Sequence, residues 1–311
     1  MSLIKAVQAT EILDSRGNPT VETLVILDDG TTGKAAVPSG ASLGKYEAIE
    51  LRDNDPKRYG GMGVMKAVNN VNSVIGPKII GLDPTLQTQI DKLMIELDGS
   101  TDKHNLGANS LLSVSLAIAV ASANSQKIPL YLYLNKLFGE SLPTTIERMP
   151  TPTFNIINGG KHGAGNLDFQ EFHVVPATSK PYHEALEMGE EIYQNLKKVL
   201  VYRQAIHSVG DEGGFAPNLF TNLDALAIML EAIKGLPYTL GRDIFLGLDV
   251  AATHFKIGEG YLIKDRPARF DAGEFSDYLK ELNRQYPLLL LEDPLEEDDW
   301  AGWKNLTASF E

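Results

Sequence analysis

Ile244-Phe245-Leu246-Gly247-Leu248-Asp249 and Leu288-Leu289-Leu290-Leu291-Glu292 are two apolar runs that each stop on a carboxylate. Unbroken apolar runs of this length read as strands buried on both faces, as in parallel sheets covered by helices. The two carboxylates are 43 residues apart, which is room for one helical crossover. On a parallel sheet they would then share the C-terminal rim of neighbouring strands. Barrel active sites are built at that rim, and two hard oxygen ligands with space for waters suit Mg²⁺. The plainer alternative is that each acid caps the helix that follows it.

Working outward, the same rhythm begins near Met149. Phe154 to Asn158 is an apolar run followed by Gly159-Gly160, and Phe172-His173-Val174-Val175 is a second, opened by Gln170-Glu171. Helical spacing follows in Ala185, Met188, Ile192, Leu196 and Val199, and again in Leu226, Leu230 and Ile233 before Gly235. This predicts buried strands alternating with helices, the pattern of a β/α barrel. Such a barrel takes ~250 residues and eight strands, and only four strands are legible in residues 141–311. Half a parallel barrel leaves apolar edges exposed, so either the fold is not a barrel or these residues are part of one.

The first 140 residues read differently. Val21, Thr23, Val25 and Leu27 lie on one strand face, and Asp28-Asp29-Gly30 supplies a turn. Pro38 to Tyr46 is rich in glycine and serine and predicts a mobile polar loop. Helices follow, the most apolar running from about Asn109 to Asn124. Its serines at 113, 115 and 122 and its short length suit a buried helix rather than a membrane span. The expected organisation is thus an α+β domain over 1–140, followed over 141–311 by a unit that, if it is a barrel, is the first half of one.

Composition narrows the partners. The 311 residues include 28 basic and 41 acidic side chains, a net charge of −13, which argues against a nucleic-acid binder. Cysteine is absent, so thiolate metal sites, disulfides and cysteine nucleophiles are excluded. Met1-Ser2-Leu3-Ile4-Lys5 lacks the apolar core of a secretion signal. The expectation is a soluble, cytoplasmic protein with no membrane association.

Three further segments carry candidate chemistry. Gly210-Asp211-Glu212-Gly213-Gly214-Phe215-Ala216-Pro217 sets two acids between glycines. Burial there would raise a carboxyl's proton affinity, as a general acid needs, or the segment is an ordinary acidic turn. Asn158-Gly159-Gly160-Lys161-His162-Gly163 places a histidine on a glycine-rich loop, either a ligand-binding lid or a structural hydrogen-bonding group. The remaining histidines show no metal-ligand spacing. Glu296-Glu297-Asp298-Asp299 reads as a solvated helix start.

Taken together, these segments resemble the enolase family. The resemblance rests on Glu11 to Glu22, Ser39-Gly40-Ala41-Ser42, Tyr59-Gly60-Gly61, Phe154 to Gly160 with His162, and Gln170-Glu171-Phe172. It continues through Gly210 to Pro217, Leu248-Asp249-Val250-Ala251-Ala252 and Glu292-Asp293-Pro294. It implies an N-terminal α+β cap followed by a β/α barrel that opens with two adjacent strands and two helices. It also implies Mg²⁺-dependent dehydration of 2-phosphoglycerate to phosphoenolpyruvate, in a homodimer. By the same resemblance Asp249 and Glu292 are metal carboxylates, and Ser39 helps hold a second ion. Glu212 matches the acid that protonates the leaving hydroxyl, with Glu171 assisting, and His162 and Gln170 match substrate contacts.

Leu43, Met62 and Thr253-His254-Phe255 depart from the family pattern away from these positions. The family's third metal carboxylate and its lysine base lie beyond Glu292, where this chain carries nineteen more residues and no such motif; Lys304 does not match the base. The sequence therefore leaves two expectations. One is an enolase whose remaining strands belong to a longer product, with the 311 residues alone inactive. The other is a non-catalytic relative acting as a binding or interaction module. A different enolase-superfamily activity fits less well, because that wider group lacks the Ser39 loop and the Gly210–Pro217 block.

Overall fold

A computed structural model describes residues 2–40, 43–139, 149–163 and 165–310. The chain divides into two compact units, Met1–Glu147 and Arg148–Glu311. The boundary expected at 140/141 lies outside the described residues, as do Ala41 and Ser42 of the Ser39 loop.

In the first unit β1 (Ile4–Leu13), β2 (Pro19–Leu27) and β3 (Thr32–Ala36) form an antiparallel sheet in the order β1-β2-β3. Asp14 closes the first hairpin, its Oδ1 accepting from the amides of Arg16 and Asn18 at 2.8 Å each. Gly30 closes the second at φ 86°, a conformation that favours glycine. The helices are α1 (Met65–Asn70), α2 (Gly76–Ile79), α3 (Gln87–Asp98), α4 (Ala108–Ser125) and α5 (Leu130–Gly139), with a π turn through Val71–Ile75 between the first two.

Val21, Thr23, Val25 and Leu27 are buried, as their alternation predicts. Helix α4 packs on β2 and β3 and is long and apolar enough to cross a membrane, yet 61% of it is buried inside the protein. Its serines bond internally. Ser113 Oγ lies 2.8 Å from Thr23 Oγ1, and Ser122 Oγ donates to the Pro84 carbonyl at 2.8 Å. Buried hydroxyls are tolerated on these terms.

Glu11 ties β1 to the loop before α1. Its carboxylate accepts from the Arg58 guanidinium and, at 2.8 Å, from the Val64 amide. The Arg58 bond holds its proton affinity below the usual glutamate range, against the opposing effect of burial. A depressed carboxyl stabilises the fold above its unfolded pKa, near 4.5, and that contribution is lost as pH falls through the lowered folded value. Glu11→Gln is therefore expected to shrink the difference in urea midpoint between pH 7 and pH 3. An unchanged difference would mean that other carboxyls set the acid limb.

The second unit contains β4 (Phe154–Asn158), β5 (Glu171–Pro176), α6 (Tyr182–Tyr202), α7 (Asn222–Lys234) and β6 (Ile244–Asp249). A small sheet of two-residue strands follows, β7 (Lys256–Ile257), β8 (Gly260–Tyr261) and β9 (Phe270–Asp271). The described residues end with α8 (Ala272–Gln285), β10 (Leu288–Glu292) and α9 (Trp300–Ala308). The main sheet has the order β10-β6-β5-β4. Among the described residues it does not close into a barrel.

Two expectations need correction. Among the described strands of the main sheet, β6 and β10 alone form a parallel ladder; β5 is antiparallel to both β4 and β6. The described residues between β4 and β5 contain no α-helix, and the chain reverses there. Between β5 and β6 it passes through two helices, and an even number returns it to the end it left. The leucines of β10 are also not deeply buried: Leu289 is exposed and Leu288, Leu290 and Leu291 are half-buried. β10 is the edge of this sheet, so one flank lacks a neighbouring strand. Phe172, Val174, Leu246 and Leu248 instead fill the interior with Ile192, Leu226 and Met229 from α6 and α7.

Candidate active site

The pairing register assembles the site. Asn158 on β4 is the Cα partner of Glu171 on β5, Glu171 of Asp249 on β6, and Asp249 of Glu292 on β10. Directly paired residues project to the same sheet face. Four polar residues from four strands therefore form one row across the rim, with neighbours ~4.8 Å apart along the hydrogen-bonding direction. Asp249 and Glu292 share a rim, as the strand-end reading expects. Glu171 reaches the same rim from the start of its strand, because β5 runs the other way.

Asp249 is buried, at 8% exposure. Its Oδ2 accepts from Gln170 Nε2 at 3.0 Å and its Oδ1 from the Ala251 amide at 3.1 Å. Burial, and then the charges of Glu292, Glu171 and Asp293, push its pKa up to about 6 despite the Gln170 bond. Glu292 is exposed at the edge strand. The backbone is held in the left-handed region just past each acid, at Ala251 (φ 47°) and Asp293 (φ 44°). Non-glycine residues occupy that region at a cost of about 1–3 kcal/mol, and such strain concentrates at functional sites.

Beside the row lies a second cluster. His162 is buried in a short 3₁₀ turn, Gly160–His162. Its Nδ1 is 3.0 Å from Glu171 Oε1 and 3.0 Å from Glu212 Oε2. His173 Nε2 lies 2.6 Å from the other oxygen of Glu171. The ligating atoms of His162, Glu171 and Glu212 fall within 4.8 Å of one another. They bond to one another directly, which is the arrangement of a shared proton.

The two carboxyls of this cluster are driven apart. Glu212 is pushed up to about 7, first by its hydrogen bond with Glu171 and then by burial. Burial also pushes Glu171 upward, but bonds from His173, Glu212 and His162 outweigh it and hold Glu171 near about 2. The pair titrates as a unit, with the proton on Glu212. Burial was the expected cause of the raised acid; instead the Glu212 side chain is 43% exposed, and the neighbouring carboxylate does most of the work.

Ser39 belongs to the first unit. Its hydroxyl donates to Glu50 Oε2 at 3.0 Å and accepts from Arg52 Nη2 at 3.1 Å, while Arg16 Nη2 donates to its carbonyl at 2.6 Å. Glu296 to Asp299 precede α9, where Asp299 caps the helix by accepting from the Gly302 amide at 2.8 Å.

His173 is the residue that sequence reasoning missed. The signal was present: Glu171-Phe172-His173 on a strand puts the acid and the histidine on one face, with the phenylalanine on the other.

The sequence models for the enolase N-terminal domain and the enolase C-terminal TIM-barrel domain match residues 4–134 and 146–311. The α+β first unit and the strands and helices of the second agree with those matches. The chain belongs to the enolase family, whose domains are those of a lyase.

Proposed function

We propose that these residues supply the Mg²⁺ ligands and the proton donor for the dehydration of 2-phosphoglycerate to phosphoenolpyruvate, with the C2 proton passing to a base that the assigned residues do not include. The observation that carries the reading is the single row of Asn158, Glu171, Asp249 and Glu292 with the Glu212 carboxyl bonded onto it. Three carboxylates crowd Asp249 and raise its proton affinity, a repulsion that a divalent cation relieves. Gln170 Oε1 is buried without a partner in the same place. The donors are hard oxygens, which fits Mg²⁺, so Asp249 and Glu292 would hold one ion. Bound there, the ion lowers the energy of the negative charge that builds on the substrate carboxylate after the C2 proton is lost.

Glu212 gives its proton to the C3 hydroxyl as the C3–O bond breaks and water departs. The electron pair left at C2 forms the C2–C3 double bond. Glu171 stays ionised and accepts the Glu212 hydrogen bond, which keeps the proton on Glu212 until the hydroxyl takes it. His162 and Gln170 orient the substrate. In this reading the protein works in cytoplasmic glycolysis as a homodimer.

A second reading is ligand binding without turnover, favoured by the exposure of Glu292 on an edge strand and by the absence of an assigned C2 base. One experiment separates the two. The chain is mixed with 2-phosphoglycerate with and without Mg²⁺; product is followed by phosphorus NMR and binding by calorimetry. Mg²⁺-dependent phosphoenolpyruvate formation supports dehydration. Mg²⁺-dependent binding without product, lost in Asp249→Asn, supports the second reading. If 2-phosphoglycerate does not bind under either condition, both fail.

A further inference from the structure

The general acid of this site sits on backbone that has little stiffness of its own. Gly210, Gly213 and Gly214 surround Glu212, and Gly213 takes φ 85°. Among the described residues the loop's backbone is tied by Gly210 N to Gly214 O at 2.8 Å and Gly213 N to Gly210 O at 3.1 Å, with Ala216 N to Ser208 O at 2.8 Å closing its base. Glycine-rich backbone explores many conformations, yet the Glu212 carboxyl must stay within hydrogen-bond reach of both His162 and Glu171.

A side chain from outside the loop supplies the missing restraint. Tyr193, on α6, donates its hydroxyl to the Gly213 carbonyl at 2.8 Å. Its ring stacks on Phe215 with centroids 4.4 Å apart and planes 17° from parallel. Phe215 is itself fixed: it is 2% exposed, its amide donates to Ile156 O at 2.9 Å, and its carbonyl accepts from Asn158 N at 2.8 Å. The stack thus sets the ring against β4, and the hydroxyl carries that position to the residue next to Glu212. Burial raises the proton affinity of the phenol further, so it remains a donor.

We propose that Tyr193 is a positioning residue that holds Glu212 against His162 through the Gly213 carbonyl. The proposal rests on reading Glu212 as the acid, but its test does not need turnover, so a chain that fails to dehydrate 2-phosphoglycerate leaves it fully testable.

The test uses the full chain uniformly labelled with ¹⁵N, comparing Tyr193→Phe with the unaltered protein. His162→Gln identifies the His162 ring signals. Tyr193→Phe keeps the ring stack and removes only the oxygen. The expected result is a displaced or broadened His162 Nδ1 resonance, with amide exchange at Gly213 and Gly214 about tenfold faster, the equivalent of one hydrogen bond. Tyr238→Phe is the control, because it removes a different hydroxyl bond that involves α6, the one Tyr238 donates to Glu191. It should leave the His162 signal in place. An unmoved His162 resonance in Tyr193→Phe overturns the proposal, and so does an equal shift in Tyr238→Phe, since a general loosening of α6 would produce it.

Discussion

In a form of the protein that turns over 2-phosphoglycerate, Glu212→Gln is expected to lower that turnover by ~10²–10⁴, the usual contribution of a positioned general acid. The amide keeps the size of the carboxyl and can still bond His162 and Glu171, so substrate affinity should change little. What it lacks is a proton acidic enough to leave with the C3 hydroxyl. The pH profile supplies a second reading of the same event. Because Glu171 raises Glu212 to about 7, the donor form dominates below that pH and is depleted above it. Turnover should therefore decline as pH rises through about 7, and that limb should vanish in the variant. Undiminished turnover in Glu212→Gln would remove the residue from this role.

Gly33→Ala is expected to destabilise the first unit by about 3 kcal/mol, the upper end of ordinary overpacking costs. A methyl at Gly33 on β3 would lie 2.2 Å from Ala121 N, 2.3 Å from Ala117 O and 2.7 Å from Ala121 Cα. All three are main-chain atoms of α4, so no rotamer change can relieve the overlap and the helix must move off the sheet. Adding Ala121→Gly should not rescue the variant, since it trims none of them. A urea midpoint near that of the unaltered protein would show that β3 and α4 are not in such close contact.

Much of the architecture was legible because it rests on local pattern. Val21 to Leu27 alternates as a half-buried strand must. Residues 244–249 and 288–292 are apolar runs that end on acids. The region of α4 has strong helical composition, and its internal serines mark it as a core helix. The site motifs were legible for a related reason: Asp249, Glu292, His162 and Glu212 each stand beside a strand end or between glycines, where a side chain is free to serve chemistry rather than packing.

What stayed hidden depends on pairing between distant segments. No local pattern states that β5 runs against its neighbours, and it is this reversal that brings Glu171 to the rim shared by Asp249 and Glu292. Nor does the sequence say that β10 is an edge strand, since its four leucines have the composition of a buried one.

By itself, then, the sequence determined which residues could act: the carboxylates at strand ends, the acid among glycines, the histidine on its loop, and the family to which they belong. Only the tertiary structure decided how they act on one another. The raised proton affinity of Glu212 arises first from a hydrogen bond to a carboxyl 41 positions earlier in the chain, and only then from burial. Tyr193, an unremarked residue on a helix face, comes to bear on that acid through a carbonyl. Interactions between charges and hydrogen-bonding groups depend on separation and direction in space, which the folded backbone sets and the order of residues along the chain does not.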